Sequence, residues 1–507
     1  MKKQIGINWL VVVILLLYSP FLWSQDNIDS VFNQAPPNIG LLKKKVEAHP
    51  DSLSYHEAYI KAAGLDSPAV IKQYTQWTLK FPKNAIVPFA LGKAYEDQES
   101  PKAKPYLLKA VQLNPGLTEA WGGLWIDAER WGDFAGSRDY LKKAVASDSS
   151  NANYAFYYAS SFNDVDSAKY YSMSLDVAKR FPNNERGAQA LYWLGVRSKK
   201  KVDKLTYFKK LKDDFPPAKF RWSASGMNSY FDLLLPDAPE QALRLAQDMM
   251  QDTSNAKDWA KPLEWAQKFK EAGEFMQSGK PADALNILEA IRLPWYYKTS
   301  GELTLLMAKA RDCMGQTQAA FDSLVSAFCK RPTVAIREAI RQYGKKLGQS
   351  SQQTDAYLIK HLLDQAEPAT PFTLANYGKP GKTSLSEYQG KVVLLTYWFP
   401  GCGPCRGEFP HFEHVVCKFD KKLLAYIGIN IEPSQNDYVV PFLKTSGYSF
   451  TALEEEKDRY KGNMDNRNAA PVNFLIDQKG NLIFSNFRTD GDNEEDLEMM
   501  IRMLLKI

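Results

Sequence analysis

Residues 398–410 read Trp398-Phe399-Pro400-Gly401-Cys402-Gly403-Pro404-Cys405-Arg406-Gly407-Glu408-Phe409-Pro410. The run before them, residues 392–397, is β-branched and leucine-rich and predicts a buried strand. After the cysteines, Phe409, Phe412, Val416 and Phe419 recur at helical spacing. A pair of cysteines between a strand and a helix is an arrangement for thiol-disulfide exchange, so the sequence predicts a redox centre here.

The two cysteines are expected to have different roles. Cys402 is placed at the start of the helix, where unpaired backbone N–H groups and the helix dipole stabilise a thiolate. Only a thiolate attacks a disulfide, so we expect Cys402 to be the exposed nucleophile with a low pKa. Cys405 comes one turn later, close enough to resolve a mixed disulfide on Cys402, and we expect it to be buried. The predicted redox-active disulfide is Cys402–Cys405.

Three further cysteines lie outside the motif. Cys313 and Cys329 fall near the ends of two predicted antiparallel helices, roughly 20 Å apart, whereas a disulfide needs Cα atoms within about 7 Å. We therefore expect that they are not bonded to each other. Cys417 is about 18 Å along the helix from Cys405, out of its reach, and is expected to be a small packed hydrophobe.

The composition is that of a globular protein with two or three domains, since 507 residues include 45% hydrophobic and 24% charged residues. The net charge of +6 is small and the lysines are scattered, so no nucleic-acid partner is expected. Five cysteines do not make a disulfide scaffold. His49 and His56 have no cysteine or paired carboxylate at ligand spacing and are expected to be solvated, so we predict no metal and no cofactor beyond the cysteine pair.

Residues 1–24 predict a secretory signal peptide. Lys2 and Lys3 precede an apolar run at 9–18, and Ser24 offers a cleavage point. The run is short for a bilayer span, although the bulky residues 21–23 leave an uncleaved anchor open. In both cases the rest of the chain is expected to be exported to the periplasm or cell envelope, with no transmembrane segment if the signal is cleaved.

Residues 25–366 predict an all-α solenoid, ending in a last helix over 344–366. Residue pairs that end helices recur at separations of 32 to 34 residues: His49-Pro50, Phe81-Pro82, Asn114-Pro115, Asp148-Ser149, Phe181-Pro182 and Phe215-Pro216. A period near 34 is typical of paired antiparallel helices, and this region resembles the tetratricopeptide family. The regularity weakens over 217–260. The resemblance implies a concave groove for protein-protein contacts.

Residues 367–507 predict a separate α/β domain, a central mixed sheet flanked by helices. Strands are expected at 391–397, 424–431 and 472–476, the last forming a hairpin with 482–484. This part resembles the exported thioredoxin-like thiol-disulfide oxidoreductases of the TlpA and ResA type. The matching pieces are Phe372-Thr373-Leu374, the lead-in 385–391, the C-G-P-C motif with Glu408-Phe409-Pro410, and Ala470-Pro471 before Phe474.

The resemblance assigns further site residues. It implies that Pro471 is a cis-proline facing the cysteine pair, and that Ala470 offers backbone groups to an extended substrate. Glu408 matches a glutamate that shuttles a proton or holds up a thiol pKa, the alternative being a solvated helix residue. Two positions depart from the family: Thr396 replaces a buried acid, and Gly401 replaces a tryptophan, which is expected to widen the exposed rim where substrate binds.

The resulting hypothesis is an exported thiol-disulfide oxidoreductase that reduces disulfides of envelope proteins, takes electrons from an upstream donor, and recruits or orients a partner through its helical repeats. One alternative is a thiol peroxidase of the peroxiredoxin type. Peroxidases present T-x-x-C, whereas the residue three before Cys402 is Phe399. The other alternative is a non-enzymatic repeat scaffold whose thioredoxin fold only binds, against which both cysteines argue.

Overall fold

A computed structural model describes residues 38–251, 256–294 and 297–506. The predicted signal peptide lies outside these residues. In the described part, nineteen helices precede a thioredoxin-like fold built on a mixed sheet. The chain divides into two compact units, Met1–Val87 and Pro88–Ile507.

The first unit contains three described helices, α1 (Ile39–Ala48), α2 (Leu53–Ala63) and α3 (Pro68–Lys80). The expectation that His56 is solvated is wrong, because its side chain is fully buried. Its Nδ1 lies 2.9 Å from the Tyr74 hydroxyl and its Nε2 lies 3.1 Å from the Pro50 carbonyl oxygen. Both ring nitrogens therefore have partners inside an aromatic cluster that also includes Trp77.

The second unit contains a solenoid-like array of helices, and most consecutive helices pack against each other. These helices are α4 (Ile86–Asp97), α5 (Ala103–Leu113), α6 (Thr118–Arg130), α7 (Phe134–Ser147), α8 (Ala152–Ser160), α9 (Ser167–Arg180), α10 (Glu185–Arg197), α11 (Lys201–Asp214), α12 (Arg221–Leu234), α13 (Pro239–Met250), α14 (Ala256–Gln277), α15 (Pro281–Glu289), α16 (Thr299–Cys313), α17 (Thr317–Lys330), α18 (Val334–Lys346) and α19 (Ser351–Asp364).

The recurring residue pairs mark helix ends, as the sequence predicts. The first residue of every pair is the C-cap of a helix: His49, Phe81, Asn114, Asp148, Phe181 and Phe215. Helices also continue through 217–260, where the sequence pattern is weak. The single helix predicted over 344–366 is wrong. Gly348 has a left-handed φ of 79°, and Ser350 begins α19 with a capping box.

The redox fold is an eight-stranded mixed sheet in the order β1-β8-β7-β4-β5-β6-β2-β3. Its strands are β1 (Glu367–Pro368), β2 (Thr373–Asn376), β3 (Lys382–Ser384), β4 (Val392–Trp398), β5 (Leu424–Asn430), β6 (Thr451–Glu454), β7 (Val472–Ile476) and β8 (Asn481–Phe487). Strand β4 runs parallel to β5 and antiparallel to β7, and every residue of β4 and β5 is buried. The predicted strands and the β7–β8 hairpin are confirmed.

Three helices complete this fold: α20 (Gly403–Val416), α21 (Asn436–Ser446) and α22 (Glu494–Leu505). The last helices of the array share a hydrophobic core with it, since one cluster includes Phe328, Ile340 and Leu358 together with Trp398 and Cys405. Among the described residues, no helix is both long enough and apolar enough to cross a membrane.

Candidate redox site

The two motif cysteines lie where the central strand passes into helix α20. Strand β4 ends at Trp398, and Cys402 is the N-cap of the helix, its Sγ accepting a hydrogen bond from the Cys405 N–H at 3.2 Å. The structure contains a Cys402–Cys405 disulfide with Cα atoms 5.3 Å apart. The predicted pairing and the predicted position of Cys402 at the helix start are both present.

The exposure expected for Cys402 is wrong for this disulfide form. Cys402 is 3% exposed and Cys405 is fully buried, and both belong to the hydrophobic cluster around Trp398 and Phe409. In the disulfide form, Cys402 therefore offers little surface to a partner sulfur.

The remaining cysteines are free thiols. The prediction that Cys313 and Cys329 are not bonded to each other is confirmed. The prediction that Cys417 is packed is wrong, because Cys417 is the C-cap of α20 and is exposed, its Sγ donating to the His414 carbonyl oxygen at 3.2 Å.

Glu408 lies on the same helix as the cysteines, three residues after Cys405, and is only 4% exposed. One carboxylate oxygen accepts hydrogen bonds from Arg488 Nε at 2.5 Å and the Thr489 N–H at 3.0 Å, and the other accepts from Asn473 Nδ2 at 3.1 Å. The solvated alternative is therefore wrong. Burial raises the pKa of Glu408 above its usual value, although the charge of Arg488 and the hydrogen bonds oppose this rise.

Asn473 connects Glu408 to the central strand. It pairs across the sheet with the fully buried Thr396, and its Nδ2 also donates to the Phe487 carbonyl oxygen at 2.9 Å. Its Oδ1 is buried without a partner among the described residues. Sequence reasoning missed both Asn473 and Arg488. An amide inside the otherwise apolar strand Val472–Ile476 is the signal that points to Asn473.

The Ala470–Pro471 peptide bond is cis, which confirms the predicted isomer. Val472 pairs with Tyr397, so Pro471 lies at the end of the sheet where β4 leads into the cysteine motif. Ala470 packs against the hydrophobic cluster that contains both cysteines.

Gly401 does not widen the rim of the site, contrary to expectation. The side chain of Gln435, only 1% exposed, fills the space beside it and accepts the Gly401 N–H at 2.6 Å. A Cβ at position 401 would lie 2.8 Å from Gln435 Nε2, closer than Cβ contacts normally come. Gln435 was missed because it belongs to no motif and precedes α21, a helix that was not predicted.

No group of three histidine, cysteine, aspartate or glutamate side chains is placed to hold a metal ion in the part of the chain that the structure describes.

A dithiol pair at the start of a helix, next to the central strand of a thioredoxin fold, defines a thiol-disulfide oxidoreductase. Residues 366–485 match the family model described as the AhpC/TSA family. Over 148 residues the chain is 31% identical to thiol-disulfide oxidoreductase ResA of Geobacillus kaustophilus, a match that covers 29% of this chain and 83% of that protein. The chain therefore belongs to the ResA family of thiol-disulfide oxidoreductases.

Two further proteins are similar to the same part. The thioredoxin-like protein YneN of Bacillus subtilis is 30% identical over 121 residues, which are 23% of this chain and 68% of that protein. A solved thiol:disulfide interchange protein of the thioredoxin family from Chlorobium tepidum is 20% identical, covers 28% of this chain and 97% of that chain, and has a TM-score of 0.24.

Proposed function

We propose that the chain is an exported reductase of disulfides in cell-envelope proteins. The observation that carries this proposal is the Cys402–Cys405 disulfide, with Cys402 as the N-cap of α20. In the dithiol form, the Cys402 thiolate attacks one sulfur of a client disulfide, which forms a mixed disulfide and releases one client thiolate. The Cys405 thiolate then attacks the Cys402 sulfur and releases the second client thiolate. Two electrons pass to the client, and an upstream dithiol donor restores the enzyme by the reverse exchange.

We assign supporting roles to four more residues. Glu408, a buried carboxylate one helical turn after Cys405, takes up the proton that Cys405 loses when it attacks. Pro471 and the backbone of Ala470 hold an extended client segment at the end of the sheet. The N–H of Gly401 is occupied by Gln435, so Gly401 contributes surface beside Cys402 rather than a hydrogen bond to the client.

The helical array, which we propose to be tetratricopeptide-like, recruits the client. This proposal is supported by a cavity of about 600 Å³ on the surface of the array. The residues that line the cavity include Asn151, Asn184, Arg186, Arg221 and Trp222. Amides, arginines and an indole suit a peptide segment, because they offer hydrogen bonds to backbone groups and an apolar face.

The test is a covalent trap in the full-length chain. Cys405→Ser cannot resolve the mixed disulfide, so the variant should accumulate disulfide-linked adducts in the cell-envelope fraction, and Cys402→Ser/Cys405→Ser should accumulate none. If the array recruits, adding Arg221→Ala to the trap should change the clients captured, whereas Arg244→Ala, another exposed arginine of the array, should not. Equal adducts in the single trap and the double cysteine variant would refute the proposal.

The match to the AhpC/TSA family favours testing the second candidate function, a thiol peroxidase. A hydroperoxide site needs free donors around the departing oxygen. Near Cys402, however, the Gly401 N–H binds Gln435, the Cys402 N–H binds the Phe399 carbonyl, and Arg406 binds Pro400 and Glu129. We therefore expect the dithiol form to be oxidised faster by a protein disulfide than by hydrogen peroxide. The opposite order would favour the peroxidase.

A further inference from the structure

The Pro400–Gly401 peptide group, one peptide group before the Gly401–Cys402 bond, is held at both of its polar atoms. The Pro400 carbonyl oxygen accepts a hydrogen bond from Arg406 Nη1 at 3.0 Å. The N–H of Gly401, which belongs to the same peptide group, donates to Gln435 Oε1 at 2.6 Å. Rotation of this peptide therefore breaks two hydrogen bonds at once.

Both side chains that hold this peptide are held in turn by carboxylates of the helical array. Arg406 Nη2 lies 2.6 Å from Glu129 Oε2, in helix α6. Gln435 Nε2 donates to Glu99, in the turn between α4 and α5. The array and the redox fold thus meet at the residue pair that precedes the nucleophile.

The two carboxylates are themselves fixed by further contacts. Glu129 Oε1 accepts hydrogen bonds from Trp125 Nε1 at 3.1 Å and Ser137 Oγ at 3.3 Å. Glu99 Oε1 lies 3.0 Å from Arg130 Nη2. Glu99 also has a left-handed φ of 53°, a backbone conformation that favours glycine. The turn itself would favour glycine at position 99. The contacts of the Glu99 side chain with Arg130 and Gln435 therefore explain why a glutamate stands there.

We propose that Arg406 and Gln435 are positioning residues through which Glu129 and Glu99 of the helical array set the redox properties of Cys402. This inference rests on the proposed function above. Glu129 neutralises the positive charge of Arg406, which lies one turn from Cys402. An unpaired Arg406 would stabilise the Cys402 thiolate and with it the dithiol form, making the pair more oxidising. The array therefore keeps the pair a better reductant than the redox fold would be without it.

The experiment compares the equilibrium of full-length variants with glutathione buffers of graded redox ratio. Glu129→Gln should shift the equilibrium constant toward the dithiol by about threefold or more. Glu498→Gln is the matched control, because it also removes one carboxylate paired with cations, Lys418 and Arg502, but has no contact with the Pro400–Gly401 peptide group. The control should leave the equilibrium unchanged.

Glu99→Gly is the second variant. It removes the carboxylate while relieving the left-handed turn, so lost folding does not explain its effect. Because Gln435 then loses its partner, the Pro400–Gly401 peptide group is held less firmly. The rate at which the reduced protein attacks a small aromatic disulfide should fall by about threefold, since fewer molecules hold Cys402 in the attacking geometry.

The two proposals fail in different ways. If the wild-type chain exchanges no disulfide, the proposed function is wrong. If the wild-type chain exchanges normally and both Glu129→Gln and Glu99→Gly behave as Glu498→Gln does, the positioning role is overturned and the proposed function stands. A shift toward the dithiol in Glu129→Gln, or a slower attack by Glu99→Gly, beyond that of the control supports the inference, also when the other variant proves too unstable to purify, and a shift in the opposite direction overturns it.

Discussion

At the scale of single residues, Glu408 combines burial with a position on the helix that begins at the disulfide. Its carboxylate has donors from Arg488, Thr489 and Asn473 but almost no contact with water. Burial raises its pKa because desolvation disfavours the charged carboxylate, whereas the charge of Arg488 and the hydrogen bonds oppose the rise. A carboxylate with a raised pKa accepts a proton from a thiol more readily than an exposed glutamate does.

The first prediction is that Glu408→Gln slows disulfide exchange by about tenfold or more, because the proton acceptor for Cys405 is lost. The stabilising effect of Glu408 is fully present below its ordinary pKa and is lost as the pH rises through the raised value. The variant should therefore gain free energy of unfolding relative to the wild type as the pH rises above about 4, the ordinary pKa of a glutamate. Urea unfolding over a pH series that begins there measures this gain. Unchanged exchange with unchanged relative stability would reduce Glu408 to a packing role.

A second prediction concerns the order in which the cysteines react after reduction. Cys402 retains a small exposed fraction and caps the helix, whereas Cys405 is fully covered. Iodoacetamide should therefore label Cys402 before Cys405, as followed by mass spectrometry of peptides. The exposed Cys417 provides an internal reference for an ordinary surface thiol. Preferential labelling of Cys405 would reverse the assigned roles.

Sequence reasoning found those site residues that belong to short, recognisable motifs. The cysteine pair and the cis-proline follow from short motifs, and both are present in the structure. The exposure of Cys402 and the space beside Gly401 were predicted wrongly for a shared reason. Both depend on side chains distant in sequence, such as Gln435, which comes 34 residues after Gly401 and is oriented by Glu99 of the array.

At the scale of elements, the docking of helix α21 against the end of α6 joins the array to the redox fold. Tyr438 donates to Asp127 Oδ1 at 3.0 Å and makes an edge contact with Trp131, their ring centroids 5.5 Å apart. Phe134 makes a similar contact with Phe442 at 6.2 Å. The sequence gives no sign of this interface, because its partners lie about 300 residues apart and each side resembles ordinary helix packing.

The third prediction tests this interface through Gly132, which follows α6 with a φ of 70°. A Cβ there would lie 2.7 Å from the Phe442 carbonyl oxygen. Gly132→Ala should cost about 1 kcal/mol for the left-handed backbone and about 1 to 3 kcal/mol more for the clash.

Gly315→Ala is the control for this prediction, because Gly315 follows α16 with a φ of 76° and a Cβ there meets nothing within 4 Å. It should show the backbone cost alone. Urea unfolding of both variants separates the backbone cost from the cost of the clash. Equal losses in the free energy of unfolding would mean that position 132 makes no close contact with α21.

At the scale of the whole molecule, the helical array packs against the redox fold and contacts residues near its cysteine pair within the Pro88–Ile507 unit. Besides Glu99 and Glu129, two lysines of the array, Lys204 and Lys298, pair with Asp492, which follows the Arg488–Thr489 segment that binds Glu408. The periodic helix ends allowed the array itself to be predicted. Its contacts with the redox site arise only when both parts are folded.

The fourth prediction is that residues 367–507 alone are less stable than the same residues in the full chain. Cutting the chain at 366 removes Phe328, Ile340 and Leu358 from the shared core and uncovers Tyr438 and Phe442. The fragment should unfold at a lower temperature and bind a hydrophobic dye that the full chain does not bind. A fragment as stable as the full chain would mean that the shared core adds nothing to the redox fold.

The reduction potential of the Cys402–Cys405 pair in the full-length protein tests the central claim most directly. It is measured by equilibration with redox buffers and by counting the free thiols of the two motif cysteines. A reductase of envelope disulfides requires a two-electron couple near that of thioredoxin, about −270 mV. A potential near that of DsbA, about −120 mV, would contradict the reductase direction, and the absence of any two-electron transition would contradict the proposed function altogether.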